Sequence, residues 1–210
     1  MLPETDLTLP GVLPLVFGRR HRSGYRFGRW FGPSWSATVG MRVVVEEPGV
    51  TLLAEDGVML TYPHPEVGTP VVPDSGQRWP LSRTDTGGYR VHDPDRGLTW
   101  HFTPKAELEG LDSVLGNIAI SAITDRHRNR ILFRYDTSGT PVEVSHSGGY
   151  RVLVDTRSGA GFPGVAKRFT VQIFRRRRAA IAERSHTSAH ILASFTRNSE
   201  VVNLSETGRG

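Results

Sequence analysis

The 210-residue chain contains no cysteine. It therefore cannot form a disulfide, a thiolate nucleophile or a cysteine-ligated zinc site. It also lacks a run of about 18 apolar residues, the length that a membrane-spanning helix needs. The first residues carry acids where a secretory signal needs a basic leader, and Pro10 and Pro14 interrupt the short apolar run that follows. The sequence predicts a chain with no membrane span and no cleavable signal, cytoplasmic as made.

Excess positive charge is missing from most of the chain, although the total net charge is +5. Residues 1–156 hold 16 Lys and Arg against 18 Asp and Glu, a net charge of −2, whereas residues 157–210 hold 10 against 3, a net charge of +7. Because a protein that binds phosphates needs a basic patch, this distribution gives little support for nucleic-acid binding by the first 156 residues.

Short runs rich in Val, Ile, Thr and aromatic residues, separated by turn residues, fill the chain from Met41 onward. The 23 glycines and 14 prolines favour turns over long helices. In residues 98–102 and 131–135 the apolar side chains fall on every second position, which predicts strands with one buried face. The sequence therefore predicts a mainly β fold of antiparallel hairpins, arranged as a β-sandwich or as an open fragment of a β-shell.

At Thr156 the pattern of the sequence changes. The segment 157–210 has little of the preceding turn chemistry and contains four consecutive arginines, Arg175, Arg176, Arg177 and Arg178. We interpret it as a basic, weakly ordered and partly helical tail that follows a β domain of residues 1–156. Two interpretations of the tail stay open. In one, the arginines bind nucleic acid. In the other, the tail is translated after a frameshift, because Arg, Ala, Gly, Ser and Pro dominate when a GC-rich gene is read in the wrong frame.

Residues 18–35 combine five arginines, five aromatic residues and four glycines. One hypothesis is that Trp30, Phe31 and Trp35 form an exposed surface that binds carbohydrate or a cell surface. Another is that the rings stack on bases while the arginines contact phosphates. The alternative is architectural: the glycines form turns, the rings pack, and the arginine side chains lie along them. We favour the architectural interpretation, which makes nucleic acid an unexpected partner of this segment.

The catalytic and metal-binding patterns of the sequence are incomplete. His186 and His190 have the i, i+4 spacing of metal ligands on a helix, but no third ligand accompanies them. Ser145, His146 and Ser147 are residue types of a catalytic triad, but no Gly-x-Ser-x-Gly elbow surrounds the serines. The sequence therefore predicts no catalytic residue, no metal and no cofactor, in a protein that is not an enzyme.

Residues 125–144, DRHRNRILFRYDTSGTPVEV, resemble the repeat of Rhs and YD-repeat proteins. In that repeat an Asp, a Gly, an apolar run, Tyr-Asp and a second Gly follow at roughly fixed intervals. The positions that match it and that we regard as structural are Asp125, Tyr135, Asp136 and Gly139. Arg128 stands where the family usually has glycine. Upstream, LPLVFGRRHRSGYRFGRWFGPSWS is similar to the segment that precedes those repeats, so the resemblance covers about residues 5–156.

The resemblance implies a structural role. In that family, repeated hairpins form a hollow β-shell around a carboxy-terminal toxin, and the region that this chain resembles begins or caps the shell without being catalytic. A hairpin of such a repeat buries its face only when another follows, so a single unit leaves an open edge. The implied partners are the remaining shell repeats and the toxin segment. A secretion apparatus or a surface component is a further implied partner, since the family context implies export by a specialised bacterial secretion system.

Overall fold

A computed structural model describes residues 2–104, 116–158, 166–175 and 190–196. Regular structure in these ranges is β-strand apart from one 3-10 turn, Thr38–Gly40. The strands are β1 (Leu2–Leu9), β2 (Leu15–His21), β3 (Trp35–Ala37), β4 (Arg42–Glu46), β5 (Gly49–Leu53), β6 (Met59–Tyr62), β7 (Leu81–Arg83), β8 (Tyr89–Asp93), β9 (Leu98–Phe102), β10 (Asn117–Asp125), β11 (Arg130–Tyr135), β12 (Pro141–His146), β13 (Tyr150–Ser158), β14 (Ala166–Arg175) and β15 (His190–Thr196). No helix in the part of the chain so described is long and apolar enough to cross a membrane.

The strands form two antiparallel sheets. The smaller sheet has the order β1-β2-β3. In the larger sheet β10 is the central strand: its first residues pair with β4, and its later residues pair with β9 on one edge and with β11 on the other. From β10 to β15 each strand pairs with the next one along the chain. The prediction of a mainly β, antiparallel meander is therefore confirmed.

The two sheets share one hydrophobic core. Leu15 and Phe17 of β2 belong to the same buried cluster as Leu52 of β5, Trp100 of β9 and Phe133 of β11. The burial alternates along the strands as the sequence pattern predicts, because successive side chains of a strand point to opposite faces. The smaller sheet thus covers part of the inner face of the larger one, as in a sandwich.

The meander has one apolar and one mixed face. In β11 the side chains of Ile131 and Phe133 are buried, whereas those of Leu132 and Arg134 are exposed. On the outer face, Glu143 of β12 accepts hydrogen bonds from the guanidinium of Arg151 at 2.6 and 3.2 Å. Cross-strand pairs of this kind fix the register of neighbouring strands, because a slip of one residue would turn the apolar side chains to solvent.

Strand pairing continues beyond Thr156. β13 passes through that residue to Ser158 and pairs with β14, which pairs with β15. The partial helix predicted for the tail is thus replaced by strands in residues 166–175 and 190–196. The physical reason is that β-branched and aromatic residues alternate with polar ones in residues 168–173, a pattern that favours a strand. The rest of the predicted tail lies outside the described residues, and the domain division near Thr156 stays a prediction.

Candidate functional site

The segment that joins β2 to β3 is folded tightly on itself. The N–H of Arg22 donates to the carbonyl of Ser34 (2.9 Å), and the N–H of Gly28 donates to that of Pro33 (3.0 Å). A Cβ on Gly28 would lie 2.1 Å from the carbonyl oxygen of Gly32, too close for any side chain. Glycine at position 28 is therefore required by the close approach of two backbone segments.

The predicted aromatic surface lies on this segment, where its three rings are half-buried. The guanidinium of Arg19 lies 5.4 Å from the ring centroid of Phe31 and 5.0 Å from that of Trp35, and the guanidinium of Arg29 lies 5.0 Å from that of Trp30. Trp30 and Phe31 also pack against the core. Each ring thus has a cation of the same chain over it, a cation–π arrangement that favours packing over ligand binding.

The turn between β11 and β12 is built around Asp136. The N–H of Asp136 donates to the carbonyl of Thr140 (2.9 Å), and the N–H of Gly139 donates to the carbonyl of Asp136 (3.1 Å). Its carboxylate accepts the N–H groups of Ser138 and Thr140, both at 2.9 Å. Gly139 has a φ of 78°, in the left-handed region that glycine adopts without steric cost. This is a three-residue hairpin loop with an aspartate that satisfies the turn's N–H groups.

The turn between β10 and β11 repeats this arrangement around Asp125. Its carboxylate accepts the N–H groups of His127 (2.8 Å) and Asn129 (2.9 Å). Arg128 occupies the position that glycine takes in the next turn, with a φ of 65°, and among the described residues it is the one non-glycine residue with a positive φ. A left-handed residue with a Cβ costs roughly 1–2 kcal/mol, so an arginine at this position carries a steric penalty.

Two further hairpins have the same construction. In residues 54–58 and 84–88 the first N–H donates to the last carbonyl, and the fourth N–H donates to the first carbonyl, at 2.8–3.1 Å. The fourth residues are Gly57 and Gly87, with φ values of 79° and 78°. The sequence shows turn residues at these positions but does not reveal that four loops share one geometry. The signal available in the sequence is a glycine at the fourth position of the five-residue turn, present as Gly57, Gly87 and Gly139 and replaced by Arg128 in the remaining loop.

Tyr135 connects the motif to the neighbouring strand. Its hydroxyl donates to the carbonyl of Ile120 in β10 at 2.7 Å, and its ring packs against the core. The four motif residues named from the sequence therefore lie along the β10–β11–β12 hairpins, where they bond to backbone and where Asp125 and Asp136 also accept hydrogen bonds from the side chains of Asn129 and Ser138. Contacts of this kind hold the hairpins together.

His146 makes a contact that the sequence did not suggest. One ring nitrogen, Nδ1, accepts the N–H of Gly148 (2.8 Å), and the other, Nε2, donates to the carbonyl of Leu13 (2.6 Å). The ring is buried. Both nitrogens are thus occupied by backbone, so His146 cannot serve Ser145 or Ser147 as a base in this arrangement.

A cleft of about 530 Å³ lies where the segment before β2 meets the β8–β9 and β10–β11 turns. Arg96 and Arg126 line it. The guanidinium of Arg96 lies 3.2 Å from the carboxylate of Glu55 and 2.8 Å from that of Asp93. Glu55 also accepts the hydroxyl of Thr38 at 3.1 Å. Through these two ion pairs Arg96 links the β8–β9 turn to the turn that holds Glu55, which suits a structural role.

Neither the predicted basic tail nor the histidine pair can be located as a site. Arg175 is the last residue of β14, and Arg176, Arg177, Arg178 and His186 lie outside the described residues. In the ranges that the structure describes, no group of three or more His, Asp or Glu side chains is placed to hold a metal ion. The predicted roles of the tail stay predictions.

Comparison with known proteins adds two findings. Residues 1–62 match a family model described as a domain of unknown function, DUF6531. Over 153 residues the chain is 25% identical to the double-stranded DNA deaminase toxin A of Burkholderia cenocepacia (strain H111), in an alignment that covers 72% of this chain and 10% of that protein. The chain therefore spans about a tenth of the length of a curated relative that it resembles.

Proposed function

We propose that this chain is a non-catalytic β module of a polymorphic-toxin protein, which begins an antiparallel sheet that further hairpins continue. In its fullest form the proposal is that the sheet belongs to an Rhs-type shell that encloses a carboxy-terminal toxin segment. The match of residues 1–62 to DUF6531 and the distant similarity to a toxin support the assignment to a toxin system. The structural role rests on the topology of the larger sheet.

The observation that carries the proposal is the direction in which the sheet extends. From β10 to β15 every strand is added beside the one before it. The second edge of β15 has no partner among the residues that the structure describes. A meander of this kind can continue by the same step, with each new hairpin placing its apolar face beside the last.

The opposite ends of the sheet are partly closed. Val67 and Val71 form isolated bridges to β7, at Arg83 and Leu81. On β6 the carbonyl of Thr61 accepts the N–H of Asp74 at 2.9 Å. Loops therefore cover β7 and part of β6, whereas β15 has no such cover among the described residues, which supports growth at β15 and a position at the beginning of a longer sheet.

The proposed absence of catalysis rests on how the side chains with catalytic potential are used. The ring of His146 is bonded to backbone on both sides. The carboxylates of Asp125 and Asp136 accept the N–H groups of their own turns. Groups held in this way maintain the hairpins and are not free to transfer protons to a substrate.

Self-association tests the open edge. Sedimentation velocity of the full chain at rising concentration should show association, and hydrogen exchange at β15 should slow as the concentration rises, because an unpaired edge pairs with another chain. Ala193→Lys, in the middle of β15, should weaken association, since a lysine on an edge strand opposes pairing. Ala193→Val is the matched control and should associate as the parent does. A monomer at every concentration, with β15 amides exchanging as slowly as those of β12, would overturn the proposal.

A second assay tests the absence of catalysis directly. Deamination of a base by water replaces an amino group by a carbonyl oxygen and releases ammonia. The full chain, incubated with double-stranded DNA, should release no more ammonia than DNA alone. Ammonia release in proportion to chain concentration would contradict the non-catalytic assignment but would not bear on the open edge at β15. The two experiments therefore test separate parts of the proposal.

A further inference from the structure

The outer edge of β6 is only partly covered. The carbonyl of Val58 accepts the N–H of Ala54 on the side of β5 (2.9 Å), whereas the carbonyl of Thr61 accepts the N–H of Asp74 on the outer side (2.9 Å). Because successive residues of a strand direct their backbone groups to opposite edges, Met59 shares the outward direction of Thr61. The register of the β5–β6 ladder agrees. Leu60 lies opposite Leu52, two residues along the strand from Val58, so Leu60 and Val58 both direct their backbone groups towards β5.

Three backbone groups on this edge are consequently available. They are the N–H and the carbonyl of Met59 and the N–H of Thr61, for which the described residues provide no backbone partner. The side chain of Met59 is 43% exposed. A short row of outward N–H and carbonyl groups is the template on which an extended peptide adds as a further strand.

A cleft of about 490 Å³ lies beside this edge, with Met59 in its wall. Its other apolar walls are Phe27, which is 44% exposed, and Tyr25, whose ring lies edge-on to that of Phe27 with 5.8 Å between the centroids. Two large exposed apolar side chains facing one cleft are uncommon on a solvent surface and suit an apolar side chain of a partner.

The charged side chain in the lining of the cleft is basic. Arg22 lines it and donates to the carbonyl of Gly57 at 2.8 Å, and no carboxylate belongs to its lining. Arg26 is exposed nearby and is held by the carbonyls of Ser23 and Tyr25. The nearest acid in the sequence, Asp56, accepts the N–H of Val58 in its own turn. A partner segment with carboxylates therefore complements this rim.

We propose that the outer edge of β6 at Met59 and the adjoining cleft dock an extended acidic peptide segment of a partner protein. The segment adds as a strand to β6, bonds to the free backbone groups of Met59 and Thr61, places an apolar side chain between Phe27 and Met59, and directs carboxylates to Arg22. This surface is distinct from the β15 edge and does not depend on the function proposed above.

The test uses the full chain and a fluorescein-labelled pentapeptide, Glu-Val-Phe-Val-Glu, followed by fluorescence anisotropy. We expect saturable binding that weakens as salt is added, and slower hydrogen exchange in residues 58–61 when the peptide is present. The charge-reversed peptide, Lys-Val-Phe-Val-Lys, should bind at least tenfold more weakly. Equal binding of the two peptides, or unchanged exchange in residues 58–61, would overturn the proposal.

A backbone variant isolates the strand edge. Met59→Pro removes an outward N–H without removing a bond to β5, a position at which edge strands tolerate proline. It should weaken peptide binding about tenfold, the loss of roughly one net hydrogen bond. Met59→Leu, which keeps the N–H and an apolar side chain, is the matched control and should bind as the parent does. A folded Met59→Pro variant that binds the peptide as the parent does would refute the proposal. A dimer of the parent chain that Met59→Pro abolishes would also refute it, because a second copy of the chain would then occupy the edge.

Discussion

Arg128 is the residue at which the chain departs from its own pattern. Three of the four equivalent turn positions hold glycine, whereas Arg128 holds a φ of 65° with a side chain present. We expect Arg128→Gly to raise the free energy of unfolding by about 0.5–1 kcal/mol, because relief of the left-handed strain exceeds the entropy that glycine adds to the unfolded chain. Urea unfolding measures the difference. Gly139→Ala, in the matching turn, should lower stability by a similar amount, and a neutral or destabilising Arg128→Gly would show that the strain is absent.

Asp136 makes the stability of its turn depend on pH. Partial burial opposes ionisation of the carboxyl, but the hydrogen bonds from Ser138 and Thr140 outweigh it and lower its pKa. Since the folded pKa lies below the unfolded one, the contribution is complete above the unfolded value, about 3.9, and is lost as the pH falls through the folded value. Asp136→Asn keeps an acceptor oxygen but cannot titrate. The free energy of unfolding of the Asp136→Asn variant should therefore fall less than that of the parent between about pH 5 and about pH 2, the range in which carboxyl groups titrate. Parallel curves of unfolding free energy against pH for the two proteins would contradict the role of Asp136.

At the level of elements, His146 fastens the segment before β2 to the meander. His146→Leu removes both ring nitrogens and leaves the carbonyl of Leu13, in a residue that is 4% exposed, without its donor. An unsatisfied buried carbonyl costs about 1–3 kcal/mol, so urea unfolding should show a loss of that size. Limited proteolysis should cut faster within residues 10–14. His146→Gln, which can still donate, is the control. If His146→Leu is as stable and as resistant as the parent, the contact does not hold the element.

The strands were more predictable than their partners. Alternation in residues 98–102 and 131–135 identified the buried faces, since the period of a strand is local and is written in consecutive residues. The pairing of β10 with β4, 75 residues apart at Arg42 and Asn117, has no comparable local signal. The contact of His146 with Leu13 spans 133 residues and escaped the sequence for the same reason. In residues 166–175 the apolar residues Phe169, Val171 and Ile173 alternate with polar ones, and the interpretation of a partly helical tail overlooked this local pattern.

For the whole molecule, composition predicts the fold class but not how the smaller sheet packs on the larger one. Glycine, proline and β-branched residues predicted a mainly β chain, and the two-sheet arrangement confirms it. The covering of the meander by β1–β3 depends on contacts among distant apolar residues such as Leu15 and Ile131, which no pattern in the sequence pairs. Whether the predicted aromatic surface is exposed likewise depends on the fold. The sequence shows which rings are present, but only the fold places Arg19 over Phe31 and Trp35.

The division near Thr156 can be tested on a chain that ends after Ser158. The core residues of β2, β9 and β11 belong to one buried cluster, so the shortened chain should unfold cooperatively with a Tm within about 5 °C of the parent, a change of roughly 1–2 kcal/mol. All four tryptophans are retained, and Trp100, only 1% exposed, reports the core through its fluorescence. Loss of the cooperative transition would mean that β13 needs β14 as a partner, so that residues 1–156 do not form an independent domain. A retained transition would leave β13 as the new edge, and the shortened chain should then associate through it.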